Sequence, residues 1–264
     1  MILYLFLSHL AIGIVLSLLF VSKAAGVKFF RFNAGMAAVL GAIAVAFRPG
    51  DDVGMAAQVG YWALLVSGAA TVLYWGTIGR MLASIRPAIV GVASVAGIVS
   101  VVAHALAASA GTGAATQALT VASFLTSVGL LGGACTAMVL GHWYLVLPGM
   151  EVSHLQSIVK VHMVSMVLRV AVVLAAIFFA ISTYEPGLGL PSFKSYIMSV
   201  SGVFFWQRML FGLAGPALLS YLTWETAKIR STQSATGILY VDFFTVVVGE
   251  VLSKYLMIVT RVPV

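Results

Sequence analysis

Hydrophobic residues in this chain do not alternate with polar ones; they run on. Long apolar stretches fall at about residues 2–21, 34–48, 55–79, 88–110, 115–146, 158–183, 197–224 and 235–258. Each approaches the roughly 20 residues a helix needs to cross hydrocarbon. Backbone N–H and C=O groups in lipid must be satisfied within their own segment, so the runs predict α-helices. The period-two alternation of an outer-membrane barrel is absent. The expected fold is therefore all-α: residues 1–264 form one polytopic membrane bundle of eight transmembrane helices. The first run lacks a basic leader and is longer than a signal core, so it reads as a retained helix. The longest connection, "STYEPGLGLPSFKSY", has the prolines and glycines of an ordered cap or a partner's docking surface.

Composition agrees, with 62% hydrophobic and 8% charged residues, and excludes an ordinary soluble domain. Cys135 is the single cysteine, which excludes disulfides, cysteine-ligated iron–sulfur clusters and c-type haem attachment within the chain. A net charge of +7 invites a nucleic-acid reading, but the distribution points elsewhere. Lys23, Lys28 and Arg31 follow helix 1, Arg80 and Arg86 follow helix 3, Lys160 opens helix 6, and Lys228 and Arg230 follow helix 7. The opposite connections hold only Arg48 and Lys194, with Asp51 and Asp52 beside the former. By the positive-inside rule both termini face outward, to the periplasmic side of a bacterial inner membrane. Tyr61–Trp62, Tyr74–Trp75, Trp143–Tyr144 and Tyr221/Trp224 sit where interfacial aromatic belts belong. The basic balance reads as topology and lipid contact, not nucleic-acid binding.

Ionisable residues inside hydrocarbon are expensive, so each is a candidate for function. The stretch "LGHWYLVLPGMEVSHLQSIVKVH" holds three of the five histidines. On the predicted spans, His9 and His104 both lie about 10 Å from the outer face. His142 and His162 match near the inner face, with His154 in the turn between them. Two depth-matched pairs are what axial ligation of two b-type haems requires, with the irons about 13 Å apart along the normal. Gly13 beside His9, and Gly97, Ser100 and Ala108 beside His104, would leave room for a macrocycle; Gly141 abuts His142 on another face. The bland reading of each histidine is a helix–helix hydrogen bond, or an interfacial anchor for His142.

Arg169 and Arg208 each reach the midplane, where they could pair with acids or bind haem propionates. Asp242 and Glu250 are eight residues apart on one face of helix 8, and Lys254 lies one turn past Glu250. Structural pairing is the expected role for Glu250–Lys254; Asp242 is the better proton-relay candidate. The run "VFFWQRMLF" in helix 7 reads as packing, or as a wall for a quinone ring. No Walker loop, HExxH or nucleophile elbow is present.

"RMLFGLAGP" in helix 7 and "GEVLSKYL" in helix 8 resemble quinol-interacting anchor subunits of bacterial respiratory complexes, the NrfD/DmsC kind. In that resemblance Gly249–Glu250 and Lys254–Tyr255 stand for the family's Gly-Glu and basic-aromatic pair. It implies quinone as partner and a multi-subunit redox complex, although those anchors generally lack haem. The expected function is a b-type cytochrome subunit, carrying one or two haems on His9, His104, His142 and His162, that exchanges electrons with the quinone pool. The rivals are a haem-free quinone-binding anchor, a proton- or ion-coupled transporter, and a cofactor-free structural subunit.

Overall fold

The computed structural model describes residues 1–50, 54–146, 151–183 and 192–264. Ten α-helices order these residues, and no strand occurs among them: α1 Ile2–Ser17, α2 Gly26–Ala46, α3 Met55–Thr77, α4 Arg86–Ala108, α5 Ala114–Val146, α6 Val152–Ser182, α7 Phe193–Met198, α8 Val203–Met209, α9 Gly215–Lys228 and α10 Thr232–Thr260. Among the described residues eight helical stretches are long and apolar enough to cross a membrane, which is the character of a multi-pass membrane protein. The seventh of them joins α8 to α9 through a π-helical turn, Leu210–Ala214.

Two boundaries differ from the sequence expectation by six residues or more, for one reason. The second span begins at Lys23 and the sixth at Val152, not at residues 34 and 158. Polar and aromatic residues at a membrane helix end stay helical while they meet the interface. Lys160 accordingly lies within α6, its ammonium 5.1 Å from the Trp224 ring, with Lys228 5.4 Å from the same ring. His154 is half-buried in the first turn of α6 rather than in a solvated turn. Of the long connection, Phe193–Met198 is helical, with Phe193 packed edge-on against Phe205; residues 184–191 of the expected cap, like Asp51 and Asp52, lie outside the described residues.

Helices α1 and α5 are buried along most of their length, whereas α2, α3 and α6 turn most of their surface outward. Two groups share α5 as a common wall. In one, α1 packs on α2 and α5, with α3 and α4 closing the far side; in the other, α5, α6, α9 and α10 form a ring in which each touches the next. The seam between α1 and α5 is built on glycine: a Cβ added to Gly13 would lie 2.3 Å from the Val128 carbonyl oxygen and 2.8 Å from Gly132 N. Small residues let membrane helices approach this closely, which replaces the hydrophobic drive that lipid removes.

Candidate functional site

The centre of the second group is polar in a chain that is otherwise greasy. On α6 the buried stripe includes Leu155, Ile158, His162, Met166, Arg169, Val173 and Ala176, the three- and four-residue spacing of one helix face. On α10 it includes Leu239, Asp242, Val246, Glu250 and Ser253. The two helices lie diagonally across the ring, bridged by long side chains.

Glu250 is the hub. Arg169 grips it with two guanidinium nitrogens, Nε to Oε1 at 2.9 Å and Nη2 to Oε2 at 3.2 Å. Arg208 reaches Oε1 at 2.9 Å, and Lys254 Nζ lies 3.5 Å from Oε2. All four side chains are buried. Arg169 is tied further to Ser123 O and Oγ at 2.9 and 2.6 Å and to Ser253 Oγ at 2.8 Å; Ser253 in turn donates to the Val264 carbonyl. The π turn gives Arg208 its place, because Nη1 donates to the Gly212 carbonyl at 2.8 Å. A Cβ on Gly249 would fall 2.2 Å from the Gly212 Cα, so only glycine at both positions lets α10 meet that turn. Bidentate arginine–carboxylate contact is the strong form of ion pairing. Three bases nevertheless surround one acid, and a guanidinium keeps its proton. Besides Glu250, Lys254 is the group of the cluster that can give one up.

From Lys254 the polar contacts continue outward. Its Nζ donates to Ser127 Oγ at 2.8 Å, and Ser127 Oγ is 3.2 Å from His9 Nδ1. A hydroxyl has one hydrogen and two acceptor lone pairs, so Ser127 can serve either tautomer of His9, whose second ring nitrogen is Nε2. That Nε2 is buried without a hydrogen-bond partner. His104 lies on the neighbouring helix: Nε2 is 2.8 Å from the Tyr4 hydroxyl and Nδ1 is 3.3 Å from Ser100 Oγ, which donates to the Gly60 carbonyl at 2.7 Å. His104 also lines a small cavity of about 60 Å³ with Met1, Tyr4, Pro49 and Ala107, enough for a few water molecules.

Toward the other end, His162 Nε2 lies 2.7 Å from Asp242 Oδ2, and both side chains are fully buried. The contact is not aligned as a hydrogen bond, so the carboxylate oxygens and both ring nitrogens have no hydrogen-bond partner. His142 is exposed on α5, its Nδ1 2.8 Å from the Tyr240 hydroxyl. Between the Asp242–His162 pair and the Glu250 cluster lie two turns of α10 that hold buried Val246, and Met166 fills the same interval on α6.

These contacts revise the expected heights. Gly133 lies against the His162 backbone, and His142 is nine residues further along α5, about 13 Å away in level. The expected match of His142 and His162 does not hold, because α6 starts six residues earlier than the apolar pattern implied. Gly97 of α4 lies against Ile12 of α1, which puts His104 about 6 Å further than His9 toward the α1 N-terminal end of the bundle. The small residues expected to make room for a macrocycle are taken by other helices: Gly13 by α5, and Gly97 by Ile12 and Ser67. Ser100 is committed to Gly60 and His104. As packed, these residues do not fit a haem between His9 and His104. Among the described residues no group of three histidine, cysteine or acidic side chains could hold a metal ion.

Of the sequence-predicted site residues, the structure gathers Arg169 and Arg208 on Glu250 and sets His162 on Asp242. His9 meets the cluster through Ser127, and His142 stands apart. Sequence reasoning missed Ser123, Ser127 and Tyr4. The first two were legible as hydroxyls one turn apart on a helix without charge; Tyr4 carried no signal.

Fold and site together define a multi-pass helical membrane protein with a charged core. Comparison with protein families, with curated proteins and with solved structures finds no match.

Proposed function

We propose that this chain is a proton-conducting membrane subunit, working without haem beside a quinone-linked redox complex in a bacterial inner membrane. The observation that carries the reading is the buried ladder of titratable side chains. From Asp242 to Lys254 it rises about 18 Å along α10, and His104 lies about 6 Å beyond His9, against roughly 30 Å of hydrocarbon. Intramembrane His, Asp, Glu and Lys in such an order mark proton relays.

Within it, Asp242 and His162 take up or release a proton at one end. The Glu250 cluster holds charge at the middle, with Lys254 as its mobile proton carrier. Ser127 passes hydrogen bonds between Lys254 and His9, and His104 meets water at the small cavity. The Val246–Met166 interval keeps the ladder from being an open wire, so transfer requires water to cross it. The quinone setting draws support from the resemblance: its residues Arg208, Gly212, Gly249, Glu250 and Lys254 all belong to the central cluster. On this reading both termini face the periplasm, and quinone chemistry or a partner subunit supplies the protons.

The test is proton uptake by proteoliposomes under an imposed potassium diffusion potential, followed with an enclosed pH dye. Flux above empty vesicles is expected, reduced roughly tenfold or more by Asp242→Asn and by Lys254→Met, and unchanged by Trp62→Ala on the exposed surface of α3. Flux that both core variants retain would sink the proposal. A reduced-minus-oxidised spectrum with b-type bands would return the electron-carrier reading in its place.

A further inference from the structure

Away from the ladder, a cavity of about 530 Å³ opens where the end of the first span and the start of α2 meet the end of α3 and the start of α4. Its walls include Val27, Phe30 and Ile78; Tyr74, Lys23 and Arg86 stand among them. Gly79, at φ +74°, turns the chain so that it packs on Val27 and shapes one wall. Arg86 is held in place by its Nε and Nη2, which donate to the Met81 carbonyl at 3.1 and 3.0 Å.

The charge around this cavity has no acidic counterpart at this end of α1 to α4 among the described residues. Lys23, Lys28, Arg31, Arg80 and Arg86 lie at this end of α1 to α4, while the only acids between Met1 and Met150 are Asp51 and Asp52, in the opposite connection. Arg31 is accounted for in part by the Trp75 ring, 5.7 Å away; Lys23 and Arg86 have no acidic partner among the described residues. A soluble anion would meet the cations but gain nothing from the apolar walls. A neutral lipid would fill the walls but leave two charges unanswered. Cationic pockets between membrane helices suit lipids that carry both features.

We infer that this cavity binds an anionic phospholipid, its phosphate between Lys23 and Arg86 and an acyl chain along Val27 and Phe30. The site does not depend on the proton-conducting reading.

The experiment is thermal unfolding of the delipidated full-length protein in detergent, titrated with phosphatidylglycerol, phosphatidylcholine or glycerol phosphate. Binding to the folded state alone raises the midpoint in proportion to occupancy. Phosphatidylglycerol should raise it more than phosphatidylcholine, and high salt should shrink the difference. The double variant Lys23→Gln/Arg86→Gln should lose most of that difference. So should Leu19→Trp, which fills the cavity from an exposed position without altering charge. The pair Lys160→Gln/Lys228→Gln, basic but elsewhere, should keep it. Equal responses to the two lipids, a full response in both cavity variants, or an equal effect of glycerol phosphate would each overturn the assignment.

Discussion

Glu250 shows how much one carboxylate can organise in a low-dielectric interior. It faces two guanidiniums at 2.9 Å and an ammonium at 3.5 Å, so losing its charge leaves three cations buried without compensation. Breaking one side of a buried pair costs about 3–5 kcal/mol. Lys254, by contrast, is part of a positive surplus, and neutralising it reduces that surplus. Glu250→Gln should therefore lower the unfolding midpoint in detergent far more than Lys254→Gln. If the lysine variant proved the more damaging, the charge balance drawn for the cluster would be wrong.

At the scale of helices, glycine decides which surfaces touch. The α1–α5 seam closes at Gly13 and Gly132, where a Cβ on Gly132 would meet the Gly13 carbonyl at 2.1 Å, backbone against backbone. Nothing at that contact can rotate aside. Gly132→Ala should cost about 1–3 kcal/mol of stability, the range for overpacking a filled interior. Gly68→Ala on α3, where no atom lies within 4 Å of the added Cβ, should be neutral or slightly stabilising. Comparing the two unfolding midpoints checks the claim. The seam also carries His9 to Ser127, so separating these helices should disturb the ladder as well as the fold.

For the whole molecule, the proposed orientation rests on where the cations sit. It predicts that Arg230→Cys, between α9 and α10, reacts with an impermeant maleimide only from the cytoplasmic side. Thr112→Cys, between α4 and α5, should react only from the periplasmic side. Cys135 is buried and should contribute little background. The reverse pattern would invert the molecule and exchange the two ends of the ladder.

Eight spans and their approximate limits were legible in the chain alone, because lipid imposes length and apolarity on every crossing segment regardless of its neighbours. Glu250 and Lys254 one turn apart on α10 were legible for the same local reason. The partners were not. Whether His9 faces His104 or Ser127, and whether Arg169 meets Asp242 or Glu250, depends on helix rotation and vertical register. Those are set by close approaches such as Gly13 on Gly132 and Gly212 on Gly249. A residue's number measures its height only if the helix ends are known. At α6, six extra helical residues moved His162 about two turns away from the level of His142. Tertiary packing alone gathered the buried charges into a cluster on Glu250 and a separate Asp242–His162 pair, because contacts between helices are made by faces and heights that hydropathy does not encode.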